Sequence, residues 1–287
     1  MNDLHKGTAA VTEIVIYPIK GCRGQALQSV EVTDMGLVGD REFTLLLEGQ
    51  RASQKQLPLL YKLSAEWIDE HYLRLSFPDK GAFVLDSRLG SASEPVDIYS
   101  KQVPVLDMGD EVSLWLSDAL QVSVNLVRVE QAIKWFFPLE EFSAVQDKDQ
   151  SKFVDAAPIL LTSQDSLADL NDKIHESGDK RSAAGLPLSM DRFRANIVVS
   201  GLAPYVEDNL PTFNFPELIL NRVAVCERCI VTTVDPTSGV RGKEPLLTLS
   251  KFRKRENDYA GGILFGIYLV PEGVGRISVG DVLSSGD

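Results

Sequence analysis

VAVCERCIVTTVDPTSGVRGKEPLLTL, residues 223–249, sets two thiols, Cys226 and Cys229, three positions apart between two apolar runs. Those runs are rich in Val, Ile and Thr, which predicts strands over 218–225 and 230–234 on either side of the pair. Several chemistries compete for such spacing. A zinc knuckle needs a second ligand pair of similar spacing, and only Cys22 and the scattered His5, His71 and His175 remain. A thioredoxin-like redox pair wants its cysteines opening a helix in an α/β setting, whereas these lie in a β setting. Buried, inert thiols are the plain structural alternative. Arg228, directly before Cys229, favours the thiolate, the form that ligates a soft metal.

Outward from that stretch the chain reads mostly as short strands with Gly, Pro and Asp punctuation. In the first half they are expected at 11–17, 29–33, 41–47, 72–77, 96–105 and 123–129. One helix interrupts them, because Val112, Trp115, Leu116, Ala119 and Leu120 fall at the spacing of a buried helical stripe. Residues 130–155 read as a long connection or boundary. The second half opens on Thr162, Ser163, Gln164 and Asp165 ahead of Leu167, Leu170 and Ile174, an N-cap followed by a stripe, so a helix is expected over 163–176. Further strands are expected at 193–200, 263–270 and 276–283, a short helix near 246–253 and a mobile loop at 176–188. Many strands with few helices make the fold class mainly β with some helix (α+β), a barrel rather than a doubly wound sheet.

Composition narrows the functional classes. The 287 residues, 44% of them hydrophobic, supply a substantial core. A formal charge of −12 opposes binding to a nucleic-acid polymer, whose non-specific affinity rests on clustered Lys and Arg. No basic, apolar, small-residue leader and no membrane-spanning run is read in the chain, so the expectation is a cytoplasmic protein with no membrane partner. Three cysteines cannot form a four-cysteine iron–sulfur centre, and no G-x-G-x-x-G follows a strand.

The segment around the two thiols resembles the C-terminal signature of MOSC domains, most closely that of the mitochondrial amidoxime-reducing component and its bacterial relatives. Cys226, Arg228, Cys229, Thr232, Thr233, Val234, Asp235, Pro236, Gly239, Lys243, Glu244, Pro245 and Leu246 carry the match. IYPIKGCRG (16–24), MGLVGDREFTLL (35–46), APILLTSQDSLADLN (157–171), RFRANIVVSG (192–201) with Glu207 and Asp208, and LFGIYLV with GRISVGD have counterparts in the same family. The resemblance implies an N-terminal β-rich MOSC module over 1–130 and a MOSC β-barrel over 131–287. It further implies a molybdenum–molybdopterin cofactor held by Cys229, the second cysteine of the pair, with reduction of N-hydroxylated compounds as the activity. Electrons would then come from a separate flavin, haem or ferredoxin-type protein.

By the same resemblance Lys20 clamps the pterin phosphate, and Arg41 makes a second contact to the cofactor's anionic groups. Thr162 and Ser163 lie where hydroxyls and free N–H groups at a helix start make an anion site. Arg194 and Asn196, alternating along the expected strand, would share one face toward the pterin. Arg228 would neutralise cofactor charge, and Asp235 is the first acid–base candidate. Two positions depart from the family pattern: Gly21 stands where a serine is usual and offers only its backbone N–H, and Glu227 stands where the close relative has serine, putting a carboxylate among the cofactor-binding positions. The alternative function is a carrier of cofactor or sulfur, since MOSC domains also end the molybdenum-cofactor sulfurases. The chain is too short to add their pyridoxal-phosphate module to the two parts already assigned, so that cofactor is not expected.

Overall fold

The structure, a computed structural model, describes residues 9–98, 101–130, 133–134, 150–177, 187–255 and 262–285. The chain divides into two compact units: Met1–Val15 with Leu27–Leu37 and Ala157–Asp287, and Ile16–Ala26 with Val38–Ala156. The last crossing between the units falls at 156/157, and the first strand belongs with the C-terminal unit. The reason is hydrogen bonding, because that strand closes a sheet made otherwise from the second half.

That sheet is a closed barrel of seven strands: β1 (Ala9–Ile16), β2 (Ile159–Ser163), β3 (Ile197–Ser200), β4 (Thr212–Asn214), β5 (Ile219–Glu227), β6 (Leu264–Glu272) and β7 (Val282–Ser285). Around the barrel the order is β3, β2, β6, β5, β4, β7, β1, and β1 returns to β3 through pairs such as Ala10 with Ser200 and Ile14 with Ile197. Neighbours are antiparallel except β2 and β3. A parallel pair needs a crossover, usually a helix, and α2 (Gln164–Glu176) supplies it. Its stripe of Leu167, Leu170 and Ile174 packs on Leu160, Val198, Phe265 and Cys226 outside the barrel. Closure leaves the ring itself without an exposed edge.

In the other unit Phe43–Leu47 pairs with Asn125–Val129, and the meander Ser64–Trp67, Tyr72–Phe77, Gly81–Asp86 forms a second sheet. The helix α1 (Asp110–Leu120) buries Val112, Leu116 and Leu120 among Leu73, Leu75 and Leu126. Asp110 and Glu111 in its first turn face the positive end of the helix dipole. No helix among the described residues is long and apolar enough to cross a membrane.

Several expected strands differ. The run 230–234 is instead the 3-10 turn Ile230–Thr233, because the Thr232 and Thr233 hydroxyls donate back to the carbonyls of Cys229 (2.9 Å) and Ile230 (2.7 Å). Local bonds of this kind offer the backbone an alternative to a ladder. The run 193–200 is a strand only from Ile197; Met190–Phe193 is a 3-10 turn whose cap, Arg194, is left-handed at φ 54°. Arg194 and Asn196 thus do not share a strand face. The run 96–105 becomes a hairpin, Val96–Ile98 with Lys101–Val103, before Pro104 interrupts it and Val105–Asp107 joins another sheet. The run 276–283 splits at Gly280, at φ 94°, into Gly275–Ser278, paired with Ser29–Thr33, and the barrel strand β7. Most of the connection expected over 130–155, and the loop over 176–188 save its ends, lie outside the described residues.

Candidate functional site

The signature loop leaves the barrel at the end of β5. Register shifts between Arg222 and Ala224 and between Val225 and Glu227 break strand alternation, so Ala224, Val225 and Cys226 are buried in succession. Alternation then resumes. Cys226 is buried and Glu227 exposed; Arg228 is half-buried and Cys229 exposed. The inward pair touch each other: Arg228 Nη1 donates to Cys226 Sγ at 2.9 Å. Arg228 Nη2 donates to the Phe193 carbonyl at 2.6 Å, and its guanidinium lies 5.5 Å from the Phe193 ring centroid. Arg228 Nε is buried without a hydrogen-bond partner. Burial alone would make this guanidinium easier to deprotonate, but Cys226, Tyr268 and Cys229 reverse that and raise its pKa.

Cys229 is the one exposed thiol and begins the Ile230–Thr233 turn with extended dihedrals, φ −97° and ψ 174°. Among the described residues no group of three or more His, Cys, Asp and Glu is placed to share a metal ion. Of the two thiols, one is a core side chain and the other is accessible.

Asp235 organises the loop. Its Oδ1 accepts from the backbone N–H groups of Thr237 (3.1 Å) and Ser238 (2.7 Å) and from the Ser238 hydroxyl, while Oδ2 accepts from Arg192 Nη2 at 2.6 Å. Burial opposes ionisation, but the Ser238 bonds and the Arg192 charge overcome it and lower the pKa. A carboxylate so held is an acceptor and a strut for the loop. Arg192, buried to 5% exposure, was missed in the sequence because RFRAN offers two arginines and nothing local says which one faces the loop.

The other expected residues of this unit sit in structural roles. Thr162 Oγ1 donates to Met190 Sδ at 3.1 Å, and Ser163 caps α2 by accepting from Asp165 N–H at 3.1 Å. Both hydroxyls are fully buried. Asn196 clamps the barrel: Oδ1 accepts from Leu160 N–H and Nδ2 donates to the Val15 carbonyl, each at 3.1 Å.

In the other unit a second cluster forms. Lys20 Nζ donates to the Phe153 carbonyl at 3.0 Å and pairs with Asp155 Oδ1 at 2.5 Å. Arg41, left-handed at φ 48°, pairs with Asp40 at 2.5 Å and lies over the Tyr17 ring, 4.8 Å from its centroid. Burial lowers the Lys20 pKa from 10.5 to about 8; Asp155 opposes this, while Arg51 and Arg41 add to it. Gly21 stands at φ 90°, and a Cβ there would lie 3.0 Å from Leu60, so both backbone and space call for glycine. Lys20, Arg41 and Arg51 form a cationic group suited to a small polyanion.

The MOSC N-terminal beta barrel domain matches residues 8–123 and the MOSC domain residues 148–284. The Bos taurus protein named mitochondrial amidoxime reducing component 2 is 32% identical over 284 residues, covering 94% of this chain and 81% of that one. The Homo sapiens mitochondrial amidoxime-reducing component 1 is also 32% identical, with the same coverage of each chain. A molybdenum cofactor sulfurase of Oryza sativa subsp. japonica is 32% identical over 281 residues, but this chain spans only 33% of it.

Proposed function

Because the chain belongs to the MOSC-domain family, carrying both the N-terminal barrel module and the MOSC domain, we propose that it binds molybdenum–molybdopterin cofactor through Cys229 and reduces N-hydroxylated compounds. The observation that carries this reading is the split of the signature cysteines: Cys226 is buried under Arg228, and Cys229 stands exposed where a soft metal could take it. Cys229 fits such a group as one accessible thiol for the metal, with the Arg228 charge beside it. When bound, the cofactor supplies oxygen-atom transfer, in which the N–O bond breaks, two electrons and two protons enter, and amine and water leave.

The chain's own residues bind and orient. Arg228 fixes the backbone on which Cys229 stands, by its bonds to Phe193 and Cys226, and brings positive charge beside the thiol. Asp235 and Arg192 hold the following turn in register. Electrons come from a separate flavin, haem or ferredoxin-type protein. The equal identity to a sulfurase supports a second reading, a carrier of cofactor or sulfur without reductase activity.

Expression in a cofactor-competent host, followed by molybdenum analysis and amidoxime reduction with a one-electron dye, separates the two. Cys229→Ala should lose metal and activity together. Cys226→Ala should keep the metal and part of the activity, at a stability cost of about 1 kcal/mol for a small buried group. A fully loaded protein that fails to turn over favours the carrier. Loss of metal from Cys226→Ala with retention in Cys229→Ala would reverse the ligand assignment.

A further inference from the structure

The alternation that exposes Cys229 exposes Glu227 with it. Glu227 ends β5, and Cys229 continues with extended dihedrals. Between them Arg228 turns inward to Cys226 and Phe193. In extended chain, residues two apart project to the same side, and the exposure of both residues agrees with the carboxylate and the accessible thiol sharing one side of the strand end. Among the described residues that carboxylate has no hydrogen-bond or ion-pair partner, although Arg228 is its immediate neighbour. Its place is also particular. It lies across Gly262, where the Cβ of any other residue would overlap it, and the backbone here runs close alongside, with Arg228 N–H donating to the Ile263 carbonyl at 2.7 Å. Gly262 thus leaves room for the carboxylate against the strand.

An exposed carboxylate without a partner carries a charge that a serine at that position lacks, and so can receive a cation. Planar amidinium and guanidinium groups suit it best, since two parallel N–H donors match its two oxygens. We infer that Glu227 is the specificity-determining residue of this site and selects cationic N-hydroxylated substrates, of which N-hydroxyguanidines are the simplest class, over neutral ones. The inference rests on the reductase reading for its substrate and on the Glu227–Gly262 arrangement for its charge preference. The acidic whole, at −12, also draws cations toward the surface. That long-range pull hardly changes with a single substitution, whereas a contact at Glu227 is lost with it.

The test compares N-hydroxyguanidine with N-hydroxyurea, a near-isosteric pair differing in charge, on molybdenum-loaded protein. The parent should prefer the guanidine in kcat/KM, and Glu227→Gln should lower the ratio of the two values about tenfold, the scale of one partly desolvated ion pair. Gly262→Ala, which displaces the carboxylate while keeping its charge, should fall between. A second arm measures equilibrium binding of benzylguanidine and benzylurea to the same preparations by calorimetry, with Glu227→Gln weakening only the guanidine. If both compounds are reduced and the ratio does not change in Glu227→Gln, the charge selection is refuted and the reductase reading stands. If neither is reduced by loaded protein, the reductase reading fails and calorimetry still decides: guanidinium binding that depends on Glu227 supports the cation site, and binding indifferent to it overturns it.

Discussion

An ammonium taken out of water tends to shed its proton, and Lys20 shows the effect within reach of physiological pH. Its pKa falls to about 8, because burial outweighs the Asp155 carboxylate and the Arg51 and Arg41 charges add to the fall. Below about pH 8 the group is a cation able to hold phosphate; above it the clamp is neutral. Heteronuclear NMR of lysine side chains should therefore show one titration with a midpoint near 8, and pyrophosphate affinity should weaken as pH rises through that midpoint. Asp155→Asn should move the midpoint lower still, since the carboxylate is what raises it. The stability sign follows from the folded value lying below the unfolded value of 10.5. Between about pH 8 and 10.5 the unfolded chain holds the proton that the folded chain has lost, so this group's contribution rises with pH there and is flat below. A midpoint near the ordinary lysine value would refute the buried assignment. At this scale the sequence named Lys20, Arg41 and Cys229 only through their motifs. Arg192 and Arg51 depend on which side chains the fold brings together, and no local pattern encodes that.

At the scale of elements, α2 and the 3-10 turn Val206–Asn209 are joined by a carboxyl that has no exposure at all. Glu207 Oε1 accepts from the Ser166 hydroxyl on α2 at 2.6 Å, the same hydroxyl accepts from Tyr205 N–H at 2.8 Å, and Glu207 Oε2 is buried without a hydrogen-bond partner. Burial raises its pKa from 4.5 to about 7; the Ser166 bond opposes this and Asp208 adds to it. The folded state thus keeps a proton that the unfolded chain releases. Its stabilising effect is complete below about pH 4.5 and disappears as pH rises through about 7, a change on the order of 3 kcal/mol. Glu207→Gln, a neutral isostere, should match the parent near pH 4.5 and exceed it in Tm above pH 7, as differential scanning calorimetry would show. Equal Tm at both pH values would mean that the carboxyl ionises normally. The elements themselves were legible where a period was sustained: the Leu167, Leu170, Ile174 stripe gave α2, and the Val112, Leu116, Leu120 stripe gave α1. They were illegible where hydroxyls could close local bonds. Thr232 and Thr233 are strand formers by propensity, and side-chain bonds to Cys229 and Ile230 made them a turn instead.

For the whole molecule the decisive feature is the path of the chain. It lays down β1, crosses to the other unit, comes back over Leu27–Leu37, crosses again, and returns to complete the barrel from Ile159. The long-range pairing of β1 with β3 and β7 is invisible to a linear reading of composition and periodicity. A fragment of residues 148–284, the extent of the MOSC match, would lack the strand that fills the gap between β3 and β7. The loss includes the Ala10–Ser200 and Ile14–Ile197 pairs, the Ala9–Leu283 pair, the Asn196 clamp on Val15, the Val11 N–H bond to the Asp281 carbonyl and the Gly280 N–H bond to the Val11 carbonyl. It would also uncover β3, whose Ile197, Val198 and Val199 are buried, as an unpaired apolar edge that invites pairing with another chain. The fragment expressed alone is therefore expected to form oligomers or inclusion bodies and to show no cooperative unfolding. Fusing residues 1–37 ahead of it, or supplying them as a peptide, restores β1 and should recover a soluble species with near-ultraviolet dichroism. Size-exclusion chromatography with thermal unfolding reads both outcomes. A monomeric 148–284 fragment that unfolds cooperatively would show that six strands can close this barrel without the first.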